Sequence, residues 1–205
     1  MRDKPPLPLR QRGDEADCDA LMPTPVAHAI AGSCVAVLAS RRLPAARALP
    51  VAAAILLAAN LPDLDYLAVL GGREAMERLH QGAFHSIGLV AAATLPLAWA
   101  LRRRVGLRRA WLLLAGAGLT HLLLDLAVFD RKPPVGFPFF WPFSAERLHS
   151  PISVFPGIDR VNILGMRNLR ELLVELALGI PALLLAVRPG RPGMGHDGKG
   201  STRER

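Results

Sequence analysis

Histidines and aspartates recur at short spacings along this chain of 205 residues. The stretch "HLLLD" places His121 and Asp125 four residues apart, and "LPDLDYL" carries Asp63 and Asp65 at the end of a long apolar run. Residues i and i+4 share one face of a helix, so His121 and Asp125 can bind one metal ion, or one can orient the other. Imidazole and carboxylate without cysteine suit zinc, manganese or iron, and zinc is the expected ion for activating water in a hydrolysis.

Three more histidines lie where the same chemistry can use them. His28 and Gly32 share a helix face in "HAIAG", and the glycine lets a neighbouring helix come close. His80 and His85 are five residues apart in "HQGAFHS", and a turn at Gly82 would aim both inward. We therefore expect a metal site to which several segments contribute.

These residues lie in or beside five apolar segments: 25–40, 48–70, 83–101, 110–129 and 169–187. Hydrophobic residues make up 51% of the chain, and a helix needs ~20 apolar residues to span a bilayer. Thr24 and Pro25 predict the start of the first helix, as its N-cap and first-turn proline. We predict an all-α fold, a polytopic membrane bundle of about five helices. A soluble all-helical protein with an unusually apolar core is the alternative.

The net charge of +8 is mostly arginine, and it is unevenly placed. Arginine-rich stretches follow the first and fifth apolar segments and join the third to the fourth, which favours a cytoplasmic position for all three. The histidines and aspartates would then lie near the outer face. The polar residues 1–22 and 189–205 predict disordered tails around a domain at 23–188. Basic runs this short, without interleaved aromatics, argue against a nucleic-acid partner.

Each candidate residue also has a structural explanation. A buried histidine such as His28 can be a satisfied core residue, and His121 and Asp125 can simply share a hydrogen bond along the helix. Asp63 can cap the turn that follows it. The membership of three further residues in the site stays open: Glu171, Glu175 and His149.

The segment "GFPFFWPFSAERLHSPI" (136–152) is rich in aromatic residues and proline. Trp141 and the neighbouring phenylalanines would suit the level of the lipid headgroups. One interpretation is a lip that guides a lipid-like substrate to the site, and the other is an aromatic anchor without a catalytic purpose.

Three stretches, "LPDLDYL", "HQGAFHS" and "THLLLDLAVFDRKPPVGFPFFWPFS", resemble in this order the YdjM-like family of bacterial inner-membrane proteins, described as metal-dependent hydrolases. The family is itself distantly similar to zinc-dependent phospholipase C, which implies phosphoester chemistry. Gln81 stands where the family usually has arginine, so a fixed donor for an anionic substrate group is missing. The resemblance implies these metal ligands: His28, Asp63, Asp65, His80, His85, His121 and Asp125.

Together these features predict a multi-pass hydrolase of the bacterial inner membrane, acting on phosphoester or lipid-like substrates with a divalent metal, zinc before manganese or iron. We expect Asp65 and His85 to take part in catalysis, Asp65 as general base or as the residue that orients a histidine. Trp141 and Gln81 are expected at the substrate, and membrane lipids around the protein. The alternative is a metal or proton transporter that uses the same cluster, although its residues lie at one end of the predicted helices rather than through their full depth.

Overall fold

The structure is a computed structural model, and several parts of the chain fall outside its description. It describes residues 23–41, 43–72, 75, 79, 81–128, 135–152, 154, 155, 157 and 164–188. His80 and both predicted tails lie outside the described residues, so the structure does not test those predictions.

Regular structure among the described residues is helical, as predicted. Two isolated bridges, Val128 with Phe155 and Phe137 with Leu148, are the extended pairings in this part of the chain. The α-helices are α1 (Pro25–Ser40), α2 (Ala45–Ala59), α3 (Ile87–Ala93), α4 (Leu95–Val105), α5 (Leu107–Leu126) and α6 (Met166–Val187). Short 3-10 helices cover Pro62–Gly71 and Ala83–His85.

Prolines and caps decide where these helices begin. The hydroxyl of Thr24 accepts a hydrogen bond from the backbone N–H of Val26, so Thr24 caps α1 as predicted. Pro62 has no N–H with which to continue the α-helical ladder, and the axis bends by 58° between α2 and the 3-10 helix that follows. The apolar segment at 48–70 is therefore two helices.

The third predicted segment is also divided. It begins in a 3-10 turn and breaks at Thr94, where α3 ends and Pro96 occupies the first turn of α4. The hydroxyl of Ser86 accepts from the N–H of Leu89 and so caps α3. This capped start fixes the backbone next to His85.

Helix α5 is the centre of the bundle and packs against α1, α2, α3 and α4, while α1 also packs against α2 and α6. Small and aliphatic side chains such as Ile55, Ala58 and Leu114 fill the space between them. A Cβ on Gly32 would lie 2.8 Å from the Cβ of Ala59. Glycine at this position allows α1 to approach the end of α2, as the sequence predicts.

Helix α5 has 20 residues and is the one helix in the described chain long and apolar enough to cross a membrane. Helix α2 and the following 3-10 helix pass the same test only when taken together, as a bent pair. The five-pass topology thus remains a prediction. Arginines lie at the start of α5 and at the end of α4, whereas His121 and Asp125 lie at the end of α5, roughly 20 Å away at 1.5 Å per residue.

Candidate metal centre

Six ionisable side chains of the described chain meet at the end of the bundle opposite the arginines of α4 and of the start of α5. They are His28, Asp63, Asp65, His85, His121 and Asp125. The three imidazoles are essentially inaccessible, and of the three carboxylates only Asp63 is appreciably exposed, with 18% of its side chain accessible. Burying so many ionisable groups is costly unless each has a partner.

Four nitrogen and oxygen atoms that can bind a metal lie close together at the centre of this cluster. His121 Nε2 lies 3.3 Å from Asp125 Oδ2, across one turn of α5. The Nε2 atom of His85 is 3.4 Å from the same oxygen. Asp63 Oδ1 completes the group at 3.5 Å from His121 Nε2 and 3.9 Å from His85 Nε2.

His28 joins from the first helix. Its ring stacks on that of His121, with centroids 3.7 Å apart and planes inclined by 17°. Its Nε2 lies 3.5 Å from Oδ1 of Asp125. Asp125 thus turns one oxygen towards His28 and the other towards His85 and His121.

Two of the three histidines are oriented by contacts to their Nδ1 atoms, on the side of the ring away from the centre of the cluster. The Nδ1 atom of His121 donates to the carbonyl of Ala59 at 2.9 Å, which places the proton on Nδ1 because a carbonyl can only accept. The Nδ1 atom of His85 lies 3.1 Å from Oδ2 of Asp65, a contact that favours the same tautomer. Both Nε2 lone pairs are then available to a cation, the arrangement common behind metal-binding histidines.

The donor set fits a divalent cation. Buried polar atoms are normally hydrogen-bonded, yet the following atoms have no hydrogen-bond partner among the described residues: Nε2 of His28 and His121, Oδ1 of Asp63, and both oxygens of Asp125. Ligands of a tetrahedral ion at 2.0–2.2 Å lie roughly 3.3–3.6 Å apart. The four contacts of 3.3–3.9 Å are close to that spacing. Two overlapping triads that share His121 each have their ligand atoms within 4.8 Å of one another: His28, Asp63 and His121, and His85, His121 and Asp125.

A narrow cleft reaches Asp125 from the surface. Its volume of about 10 Å³ gives room for about one water molecule. Gln81, His149 and Ser150 supply its polar lining, and Phe137 is among its apolar walls. A wider apolar cleft of about 630 Å³ lies at the other end of α5, beside Arg108 and Arg109, and so is remote from the cluster.

Gln81 contributes through its backbone. Its φ of +55° lies in the left-handed region, which costs energy for a residue other than glycine. In this conformation its N–H donates to Oδ2 of Asp65 at 3.1 Å, and its carbonyl accepts from Arg147 Nη2 at 3.2 Å. Arg147 also donates to the carbonyls of Val135 and Gly136, and so ties this loop to the cluster.

The aromatic segment has a buried part and an exposed part. Phe137 and Phe139 are buried, and the ring of Phe137 lies edge-on to His85 at 5.8 Å between centroids. Trp141 and its neighbours Phe140 and Phe143 are exposed. The buried part of the segment therefore packs against His85, while the other rings face outward. The substrate contact expected of Trp141 remains a prediction.

All six candidate ligands that the structure describes lie in the cluster, and five of them face its centre. Asp65 lies behind His85 rather than in the central space, so the geometry favours its orienting role over direct binding of the ion. Glu171 and Glu175 make their hydrogen bonds elsewhere, to Gly157 and Thr24. Sequence reasoning missed the carbonyl of Ala59 and the guanidinium of Arg147, because neither belongs to a His/Asp pattern.

A family model described as YdjM inner membrane protein matches residues 22–190. No curated protein matches the chain, and no solved structure does.

Proposed function

Because the chain belongs to the YdjM family of inner membrane proteins, we propose that it is a membrane-bound hydrolase whose His/Asp cluster holds a divalent cation and acts on phosphoester or lipid-like substrates. The observation that carries this proposal is the set of buried nitrogen and oxygen atoms that face one another without hydrogen bonds. Zinc is the first choice, because mixed imidazole and carboxylate ligands at this spacing suit it.

The chain's own residues have distinct tasks in this mechanism. His85, His121, Asp63 and Asp125 would hold the cation, with His28 on the second oxygen of Asp125. A bound cation would lower the pKa of water towards neutrality and polarise the ester bond. Asp65 keeps the His85 proton on Nδ1, and the Ala59 carbonyl does the same for His121.

Two features of the structure suit access to the site, a cleft for water and an accessible carboxylate for the substrate. The cleft beside Asp125 has room for about one water molecule, which suits delivery of the attacking water. Asp63 is the most accessible carboxylate of the cluster, and we expect it to face the substrate. Water excluded from the rest of the site strengthens each electrostatic contact there.

The position of the cluster supports a hydrolase over a transporter. The buried ionisable groups of the described chain lie towards one end of the bundle. An apolar cluster that includes Ile55, Leu114 and Ala98 fills the bundle between these groups and the arginines of α4 and of the start of α5. A transporter needs polar groups along the whole path of its cargo.

The test compares detergent-purified protein loaded with Zn²⁺ and the same protein stripped by a chelator. The substrates are bis(p-nitrophenyl) phosphate and phospholipid vesicles. We expect hydrolysis that requires the metal and is lost in His121→Ala. Zinc-loaded protein that hydrolyses neither substrate faster than His121→Ala does would overturn the proposal, and Zn²⁺ uptake into proteoliposomes lost in that variant would favour the transporter.

A further inference from the structure

His28 differs from the other two histidines of the cluster in how it is held. Neither of its ring nitrogens has a hydrogen-bond partner among the described residues. His121 has the carbonyl of Ala59, and His85 has Asp65. Apart from the 3.5 Å approach of its Nε2 to Asp125, the position of the His28 ring therefore depends on its stacking against His121 and on the position of α1 itself.

The beginning of α1 is held by a carboxylate from the last helix. Glu175 accepts two hydrogen bonds from Thr24, one from the backbone N–H and one from the hydroxyl. Thr24 is the N-cap of α1, and His28 follows it by four residues, about one turn. A carboxylate at this end is also favoured by the helix dipole.

Glu175 is nearly inaccessible at 2% exposure, whereas Thr24 is partly exposed, so the carboxylate end of this contact is shielded from solvent and its hydrogen bonds are strengthened there. Helices α1 and α6 also pack closely about one turn further along α6. A Cβ on Gly179 would lie 2.9 Å from the side chain of Ile30. Glu175 and Gly179 together fix α1 against α6 on the side from which His28 enters the cluster.

Glu171 offers a matched comparison on the same helix. It is one turn before Glu175 and equally buried, at 0% exposure. Its Oε2 accepts from the N–H of Gly157 at 2.7 Å, so it holds a loop rather than α1. The two carboxylates thus share burial and helix but differ in the backbone element that they hold. They also interact with each other, so a change at Glu171 is not an independent control for Glu175.

We propose that Glu175 is a positioning residue of the metal centre, which acts through Thr24 and α1 to set where His28 meets Asp125. The proposal rests on the proposed function, since it concerns the same site. It adds a residue that does not touch the cluster and that the His/Asp motifs do not include.

The first test measures Zn²⁺ affinity by competition with a chromophoric chelator in detergent-purified protein. Glu175→Gln keeps the side-chain shape but leaves one acceptor in place of two for Thr24. We expect Zn²⁺ affinity to fall about 10-fold or more, the range seen when a residue behind a ligand is changed. Glu146→Gln, at an exposed acid away from α6, should bind as wild type, and thermal unfolding of both variants checks the fold.

Coupling to His28 separates positioning from general damage. In a His28→Ala background, Glu175→Gln should cause no further loss of affinity, because the residue through which it acts is gone. An equal loss with and without His28 would overturn the proposal, as would unchanged affinity in Glu175→Gln or a matching loss in Glu146→Gln.

A metal-free readout keeps this test separate from that of the function. The imidazole resonances of His28, assigned from their loss in His28→Ala, should shift in Glu175→Gln and not in Glu146→Gln. Wild-type protein that binds no Zn²⁺ would end the proposed function, while the resonances would still decide whether Glu175 positions His28. Unshifted resonances in Glu175→Gln would overturn the positioning proposal.

Discussion

Asp65 is the residue whose role separates orientation from direct binding most sharply. Its Oδ2 lies 3.1 Å from His85 Nδ1 and accepts the N–H of Gln81 at 3.1 Å. Asparagine has the same shape, and its amide oxygen can replace Oδ2 in both contacts, so Asp65→Asn removes the charge, and the second acceptor oxygen, while keeping these two contacts. Asp65→Ala removes both contacts and leaves the Gln81 N–H without this acceptor.

The expected losses follow from that difference. A residue behind a metal-binding histidine is typically worth 10–100-fold in metal affinity. We expect about 10-fold weaker Zn²⁺ binding in Asp65→Asn and about 100-fold in Asp65→Ala, or about 1.4 and 2.7 kcal/mol. The alanine variant should also lose about 1–3 kcal/mol of stability, since a buried N–H loses its acceptor.

The assay is chelator competition with purified protein, with thermal unfolding in parallel. Glu146→Gln is the matched control, because Glu146 is an exposed acid on the loop beside the cleft; its Zn²⁺ affinity should equal that of wild type. Two results would contradict the orienting role of Asp65. Unchanged affinity in both Asp65 variants would remove Asp65 from the site, and a complete loss, equal to that of His85→Ala, would make it a ligand.

Three further predictions concern the framework. Arg147→Ala should lower the thermal midpoint, by about 2–4 °C for each kcal/mol lost, because the guanidinium holds backbone carbonyls from two segments; a midpoint equal to wild type would show that this clamp is dispensable. Gly32→Ala should destabilise by about 1–3 kcal/mol, since the new Cβ would lie 2.8 Å from a neighbouring helix, whereas Gly116→Ala, with nothing within 4 Å, should be neutral or stabilising; chemical denaturation compares the two, and equal effects would contradict the packing. Reporter fusions at Gly106 and Val135, on either side of α5, should report opposite sides of the membrane, and a common side would show that α5 does not cross it.

The helical fold and the candidate residues of the cluster could be predicted from the sequence because both are marked by local patterns. The spacing of His121 and Asp125 fixes a shared helix face, and the residue types favour a metal site. The glycine at position 32 marked a close helix approach for the same reason, since the absence of a side chain is visible in the sequence.

What the sequence could not supply depends on contacts between distant segments. The pairing of Glu175 with Thr24 joins residues 151 positions apart, and no local pattern records it. Asp63 and Asp65 lie beside different nitrogens of the His85 ring, and both belong to a 3-10 helix that begins at Pro62, where the sequence had indicated a continuing apolar segment. Pro96 divided the third segment because it begins a new helix instead of lying within a longer one.

The most direct measurement is the metal content of the detergent-purified protein, with His121→Ala and His149→Ala alongside. His121 lies at the centre of the cluster, whereas His149 is exposed at the cleft. We expect at least one bound divalent ion per wild-type chain, retained in His149→Ala and lost in His121→Ala. Wild-type protein without bound metal after exposure to Zn²⁺, or a His121→Ala variant that keeps its full complement, would contradict this expectation.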